Sequence, residues 1–266
     1  MRGTPSRRDR NTLAVCLLAM GLILGANACS TTRSQGEKSD NDRAVAYIDA
    51  ASVALSSNDL AGALAYALQA EKIEPSSAAI QHLKALIFAA RGDHATAIEC
   101  ARKAVELDPK SPTANNTLGK LLLDNGRGQE AVPHLMLAAN DPLNREAFKA
   151  WTNLGIYYYR KMDYAKSIDA LDRAIAAGPL NACIALYYRG HIHMAQGKLP
   201  QAINDYDSST RKFCADFADG RVALGIAYER DHQYEKARRT FLEVLDRFKD
   251  NTNVAERATQ HLKSLP

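Results

Sequence analysis

The sequence predicts an all-α solenoid, six helical hairpins stacked in one direction and closed by a capping helix. Three observations carry that expectation. Prolines recur at Pro75, Pro109, Pro142 and Pro179, spaced 34, 33 and 37 residues apart. Glycines recur in a second phase at Gly119, Gly155, Gly190 and Gly225, spaced 36, 35 and 35. Self-similarity near 34 residues marks a stacked repeat, and two helices joined by a turn fill that length. Composition agrees, since aromatics are only 7% of the 266 residues and strong helix formers, alanine above all, abound.

Taken in order, the chain opens with Arg2, Arg7, Arg8 and Arg10, opposed only by Asp9. An apolar run from Leu13 to Leu24 follows, then the small residues Gly25-Ala26-Asn27-Ala28-Cys29-Ser30. A basic start, a short apolar stretch and a small-residue cleavage point read as a signal peptide over residues 1–28. Beyond it nothing approaches the roughly 18 to 20 apolar residues of a membrane span. Without the leader the chain carries 30 basic and 29 acidic residues. That balance gives no reason to expect nucleic acid or an anionic surface as partner.

Two cleavage readings stand side by side. Ala26-Asn27-Ala28 fits the Ala-x-Ala site of ordinary secretion into the periplasm. Residues 25–29 also resemble a bacterial lipobox, in which Cys29 is acylated and becomes the mature N-terminus. Asn27 departs from that pattern, where a small or apolar residue is usual. The polar stretch from Ser30 to Asp42 suits a flexible tether, residues 29–43, behind such an anchor.

The repeats come next. With Gly119 at the eighth place of its unit, units start at residues 44, 78, 112, 148, 183 and 218 and fill 44–250. Small residues then hold the eighth place throughout: Ala51, Ala85, Gly119, Gly155, Gly190 and Gly225. Bulky residues come three places later at Phe88, Leu122, Tyr158 and Tyr228. Ala63, Ala97, Ala131, Ala202 and Ala237 fill the small place of the second helix. Asn58-Asp59, Gly92-Asp93, Gly126-Arg127, Met162-Asp163 and Gly197-Lys198 are turn signals between the two helices. Residues 251–266, chiefly Asn253 to Leu265, read as the capping helix that a solenoid needs for solubility.

These residues resemble the tetratricopeptide repeat (TPR). The fourth unit, Trp151-x-x-Leu154-Gly155-x-x-Tyr158…Leu171…Ala174…Pro179, matches its signature closely. The resemblance covers residues 44 to about 249 and implies a right-handed superhelix whose first helices line a concave groove. It places Ile156, Tyr159, Ile184, Tyr187, Met194, Val222 and Ile226 in that groove, with Lys149, Arg160, Asp219, Glu229 and Arg230 alongside. An apolar stripe with a charged rim fits an amphipathic helix or an extended peptide. Thr113, Asn116 and Lys120 match the carboxylate clamp of chaperone-binding repeats only loosely.

Catalytic chemistry finds no foothold. His191-x-His193 invites a metal reading, but residues two apart do not share a helix face and cannot chelate one ion together. His82, His94, His134, His232 and His261 fall in different repeats without ligand spacing. No phosphate loop, G-x-S-x-G or H-E-x-x-H occurs. The expectation is a non-enzyme without metal, cofactor or small-molecule substrate. Cys183 and Cys214 occupy the first and thirty-second places of unit five, at one end of an antiparallel hairpin, where an exported chain can oxidise them. Closing that loop contributes about 3–4 kcal/mol in the chain-entropy model. Cys100 falls mid-helix and reads as a buried free thiol.

The overall plan resembles the type IV pilus biogenesis and stability lipoproteins, the pilotins of the PilF/PilW/Tgl family. The resemblance rests on the leader ending at Cys29, the six repeats, the extra residues between Pro142 and Trp151, Asn-Thr-Leu-Gly and Thr-Asn-Leu-Gly around Gly119 and Gly155, and the late cysteine pair. It implies an outer-membrane protein facing the periplasm that helps secretin subunits assemble into their ring. The other reading kept open is a periplasmic adaptor scaffolding cell-wall enzymes.

Overall fold

The computed structural model describes residues 28–266, so the leader, apart from Ala28, lies outside the described residues. They form thirteen α-helices and one 3-10 turn, with no strand among them. Six hairpins pair α1 (Ala28–Ser56) with α2 (Leu60–Ile73), α3 (Ala78–Ala90) with α4 (His94–Leu107), and α5 (Pro112–Asp124) with α6 (Gly128–Asn140). The remaining three are α7 (Ala147–Arg160) with α8 (Tyr164–Ala177), α9 (Cys183–Ala195) with α10 (Leu199–Ser208), and α11 (Ala218–Arg230) with α12 (Tyr234–Arg247). The last helix, α13 (Thr252–Ser264), packs against both helices of the sixth hairpin.

Each first helix also touches the first helix of the next hairpin, whereas second helices make no comparable contact with one another. First helices therefore sit on the inside of the curve and second helices splay on the outside. That arrangement is a superhelical solenoid.

The eighth-place small residues are the axle of each hairpin. A Cβ built on Gly119 would lie 2.5 Å from Leu135, and one on Gly155 2.5 Å from Leu171. The same atom on Gly190 would meet the Tyr206 ring at 2.7 Å, and on Gly225 the Phe241 ring at 2.5 Å. The large partner always stands at the twenty-fourth place. Units one and two invert the trade: Ala51 and Ala85 face the shorter Ala67 and Ala101, all fully buried. The crossing thus takes a large partner only where the eighth place is glycine and a small one where it is alanine, as close packing requires. Ser167 stands where the other units carry the small alanine of the second helix. Its buried hydroxyl donates to the Gly155 carbonyl at 2.7 Å.

Every hairpin turns through a left-handed residue at the fifteenth place. Gly92, Gly126 and Gly197 take it at φ of +79°, +76° and +70°, and Asn58, Met162 and His232 take it without glycine's freedom. Three of the second helices then start on an aspartate. Asp59, Asp93 and Asp163 accept from the backbone N–H of Gly62, Thr96 and Lys166, satisfying donors that a helix start leaves open.

Two segments depart from the regular frame. Helix α1 runs back to Ala28, so the segment expected as a tether, residues 29–43, is helical. No proline interrupts it, and Asp40 pairs with Arg43 at 2.8 Å one turn apart. Helix α10 stops at Ser208, short of its counterparts, and an irregular stretch with the 3-10 turn Lys212–Cys214 leads to α11. Cys214 bonds to Cys183 with Cα atoms 5.5 Å apart, tying that stretch to the start of α9. Cys100 is free and buried.

Candidate functional site

The concave face divides into an open half and a closed half. In the open half, α3, α5 and the start of α7 border a cleft of about 440 Å³. Leu86, Ala89 and Leu121 give it an apolar floor, and His82, Asn116, Thr117, Lys120 and Lys149 stand along it. Its first helices are joined by side-chain rungs. His82 Nε2 pairs with the Thr117 hydroxyl at 2.9 Å, and the Asn153 amide donates to Asn116 at 3.1 Å. Burial holds the His82 pKa below the ordinary histidine value, so the ring is neutral at physiological pH. Lys120 and Lys149 lean on Asp124 and Glu146 at 2.5 Å each, which leaves the cleft polar without a net charge bias.

The second half, units four to six, was expected to carry the whole binding stripe, and the structure revises that. Val222 is fully buried and belongs to the core with Phe241, Val244, Val254 and Ala258. Ile226 packs on the same cluster. Both are covered because α13 takes the place of a seventh first helix. Arg257 of α13 pairs with Asp219 at 2.6 Å, and His261 with Glu229 at 2.7 Å. Two of the charges expected on a free rim are therefore engaged by the cap.

Unit five is filled by rings. Tyr187 meets His191 edge-on at 4.2 Å between centroids and Phe217 at 5.2 Å. Tyr159 meets Tyr188 at 5.2 Å. Tyr187 and Met194 pack on a buried cluster that includes Tyr206 and Leu224. The Tyr206 hydroxyl and His191 Nδ1 share a hydrogen bond of 2.8 Å. Burial pushes the His191 pKa down to about 4 and that of Tyr206 up, so the pair is neutral. Of the seven expected groove residues, Ile184 is well exposed and Ile156 and Tyr159 partly so, while Tyr187 and Met194 are shared between groove and core. His191 and Phe217 were not among the expected lining. The ninth-place rule that selected Ile156 and Ile226 would have selected His191 too.

The histidines at 191 and 193 turn to different partners. His193 and Arg189 both donate to Asp205, a carboxylate only 2% exposed, and Arg189 also reaches Asp172 at 2.6 Å. This network ties α8, α9 and α10 together. Among the described residues no group of three or more His, Cys, Asp or Glu gathers around a common point. No described helix is long and apolar enough to cross a membrane.

Comparison with known proteins fits this architecture. Residues 116–182 and 187–252 match the family described as tetratricopeptide repeat, and residues 85–126 match the related TPR repeat description. The type IV pilus assembly protein PilF of Pseudomonas aeruginosa is 26% identical over 176 residues, 65% of this chain and 68% of PilF. The BBSome complex member BBS4 of Bos taurus is 27% identical over 191 residues, 60% of this chain, which spans only 36% of that protein. Among solved structures, Pseudomonas aeruginosa PilF superposes with a TM-score of 0.71 at 18% identity, covering 84% of this chain and 99% of that one. The type IV pilus biogenesis factor PilW superposes at 0.68 with 20% identity, over 77% of this chain and 94% of its own. With six hairpins, its eighth-place crossings and matches from residue 85 to 252, the chain belongs to the tetratricopeptide repeat family.

Proposed function

We propose that this chain is an assembly factor of a type IV pilus, a lipid-anchored outer-membrane protein that holds an exported secretin subunit in its concave groove. The observation that carries the reading is the shared plan with PilF: related in sequence over 176 residues, and alike in fold over nearly all of that chain. The leader ending at Cys29 supports an exported and anchored protein, and acylation there leaves the six hairpins in the periplasm. Repeat scaffolds of this family act by binding protein segments, and the groove supplies what a segment needs. Apolar side chains enter over Leu86 and Leu121, and main-chain groups meet the amides of Asn116 and Asn153. The docking segment runs along units two to four, because aromatic rings fill unit five and α13 covers unit six.

The test is the amount of heat-resistant secretin multimer in membranes, with pull-down of the secretin. Deleting the protein should abolish the multimer. Leu86→Asp places a charge on the cleft floor at a half-exposed position, so it should weaken capture about tenfold or more while melting stays near wild type. Ile226→Asp, now under the cap, should instead lower the melting temperature. If deletion leaves multimers unchanged, the pilus reading fails. Co-purification with cell-wall hydrolases or synthases would then put a periplasmic adaptor in its place.

A further inference from the structure

The connections between hairpins form one edge of the solenoid, and their tips change character midway along it. The first two junctions are polar at the tip, Pro75-Ser76-Ser77 and Pro109-Lys110-Ser111. The next two both read Pro-Leu-Asn, at 142–144 and 179–181, and the one after is Lys212-Phe213-Cys214. Leu143 is 87% exposed, Leu180 51% and Phe213 74%. Three consecutive junctions thus hold a large apolar side chain out into solvent, each one unit from the next.

These tips are built for display. Pro142 and Pro179 have no N–H to satisfy. The Leu143 N–H is taken by the Asp141 carboxylate at 2.8 Å, and Asn144 ties its own turn by donating to the Ala138 carbonyl at 2.7 Å. Cys214, next to Phe213, is fixed to α9 by the disulfide. At the Leu143 tip the backbone donor is already met, which lowers the cost of leaving water there. Charges of both signs surround the tips, Arg145 with Glu146 at one and Lys212 and the Arg211–Asp207 pair with Asp216 at another, so the contact rests on the apolar side chains themselves.

Position supplies the occupant. First helices begin at this edge, and α1 continues outward from it for another 16 residues to Ala28, beside Cys29. An acyl chain on Cys29 would therefore leave toward the side on which the three tips stand. We infer that this edge is a second membrane contact. Leu143, Leu180 and Phe213 insert into the lipid interface and orient the solenoid on the bilayer that Cys29 anchors it to. The inference rests on the anchored reading of Cys29 and adds to it a face and three contact residues.

The experiment reconstitutes the full-length protein from membranes into vesicles of phosphatidylethanolamine and phosphatidylglycerol containing brominated lipid. Leu143→Trp, Leu180→Trp and Phe213→Trp are compared with Met162→Trp, at an exposed site on the opposite edge, over the constant background of buried Trp151. Bromine should quench the three tip tryptophans and spare position 162. In parallel, labelled palmitate reports acylation of Cys29, with Cys29→Ala as control. Label with no tip quenching overturns the edge contact and leaves the anchor standing. Tip quenching without label removes the anchor and keeps the edge as the membrane contact. Tips that stay unquenched but whose serine variants lose the secretin in pull-down make the edge a protein interface and overturn the proposal. With the proposal correct, Leu143→Ser combined with Phe213→Ser should weaken vesicle retention of unacylated protein about tenfold or more, since two large side chains leave the interface.

Discussion

The crossing of Gly155 with Leu171 offers a direct measure of how the hairpins are held together. Gly155→Ala brings a Cβ to 2.5 Å from Leu171 Cδ2 and 2.6 Å from Cγ, with the Leu171 backbone nitrogen 3.5 Å away. Helix propensity favours the change by about 1 kcal/mol. Overpacking a filled site costs about 1–3 kcal/mol, so the variant should lose roughly 1 kcal/mol net. Leu171→Ala alone, in a fully buried site, should lose about 2–5 kcal/mol. The double variant reproduces the alanine pair that units one and two use at the same places, Ala51 with Ala67 and Ala85 with Ala101. The added methyl then partly fills the space vacated by leucine. Its loss should fall short of the sum of the single losses by about 1–2 kcal/mol, the coupling of residues that share one cavity. Urea unfolding followed by helical circular dichroism gives the midpoints, with slopes checked because solenoids can unfold in segments. If Gly155→Ala raises the midpoint, or the two losses simply add, the volume trade is not what fixes the hairpin crossing.

Met162 holds the left-handed turn place at φ +58°, so Met162→Gly should raise stability by about 1 kcal/mol by urea unfolding, while Gly126→Met should lower it by a similar amount. Reducing the Cys183–Cys214 bond should destabilise the stretch around the 3-10 turn by up to about 3–4 kcal/mol, seen as faster hydrogen exchange from Ser209 to Phe217. Non-reducing peptide mapping should find that pair linked and Cys100 unreactive until the chain unfolds. For His191 the folded pKa, about 4, lies below the unfolded value near 6.5. Its contribution is complete above pH 6.5 and is lost as pH falls toward 4, because the unfolded chain binds the extra proton; the loss is at most about 3 kcal/mol. His191→Gln, which can still hydrogen-bond Tyr206, should flatten that part of the profile, and an unchanged slope would mean other groups set it.

Periodicity made the frame legible because it acts place by place. The small residue at the eighth place and the turn at the fifteenth can each be read in a single unit and checked in the next. Properties of pairs were harder. Glycine at the eighth place was visible, but its exchange of volume with the twenty-fourth place shows only once the hairpin brings Gly225 against Phe241. Cys183 and Cys214 are the pair that could be read, since an antiparallel hairpin puts its first and last places at one end. The groove failed at unit six for a related reason. Place rules find which residues face inward, and Val222 does; they do not say what lies over it. The cover comes from α13, whose Arg257 and His261 reach back 38 and 32 residues to Asp219 and Glu229.

What remains open on the concave side has a chemistry of its own. The closed half is aromatic and aliphatic, and Tyr206 with His191 and Arg189 with Asp205 pair their polar atoms with one another. The open half keeps amides and hydroxyls along its length, and these rungs can exchange partners with an incoming backbone at little net cost, since each hydrogen bond lost is replaced. For the docking segment proposed above, affinity would come from the floor at Leu86 and Leu121, and register from Asn116 and Asn153. The edge carrying Leu143, Leu180 and Phe213 lies at the ends of the helices, whereas the cleft lies along their sides. A segment seated in the cleft therefore does not compete with a surface that receives the edge, and the two contacts can be held at once by one rigid stack of hairpins.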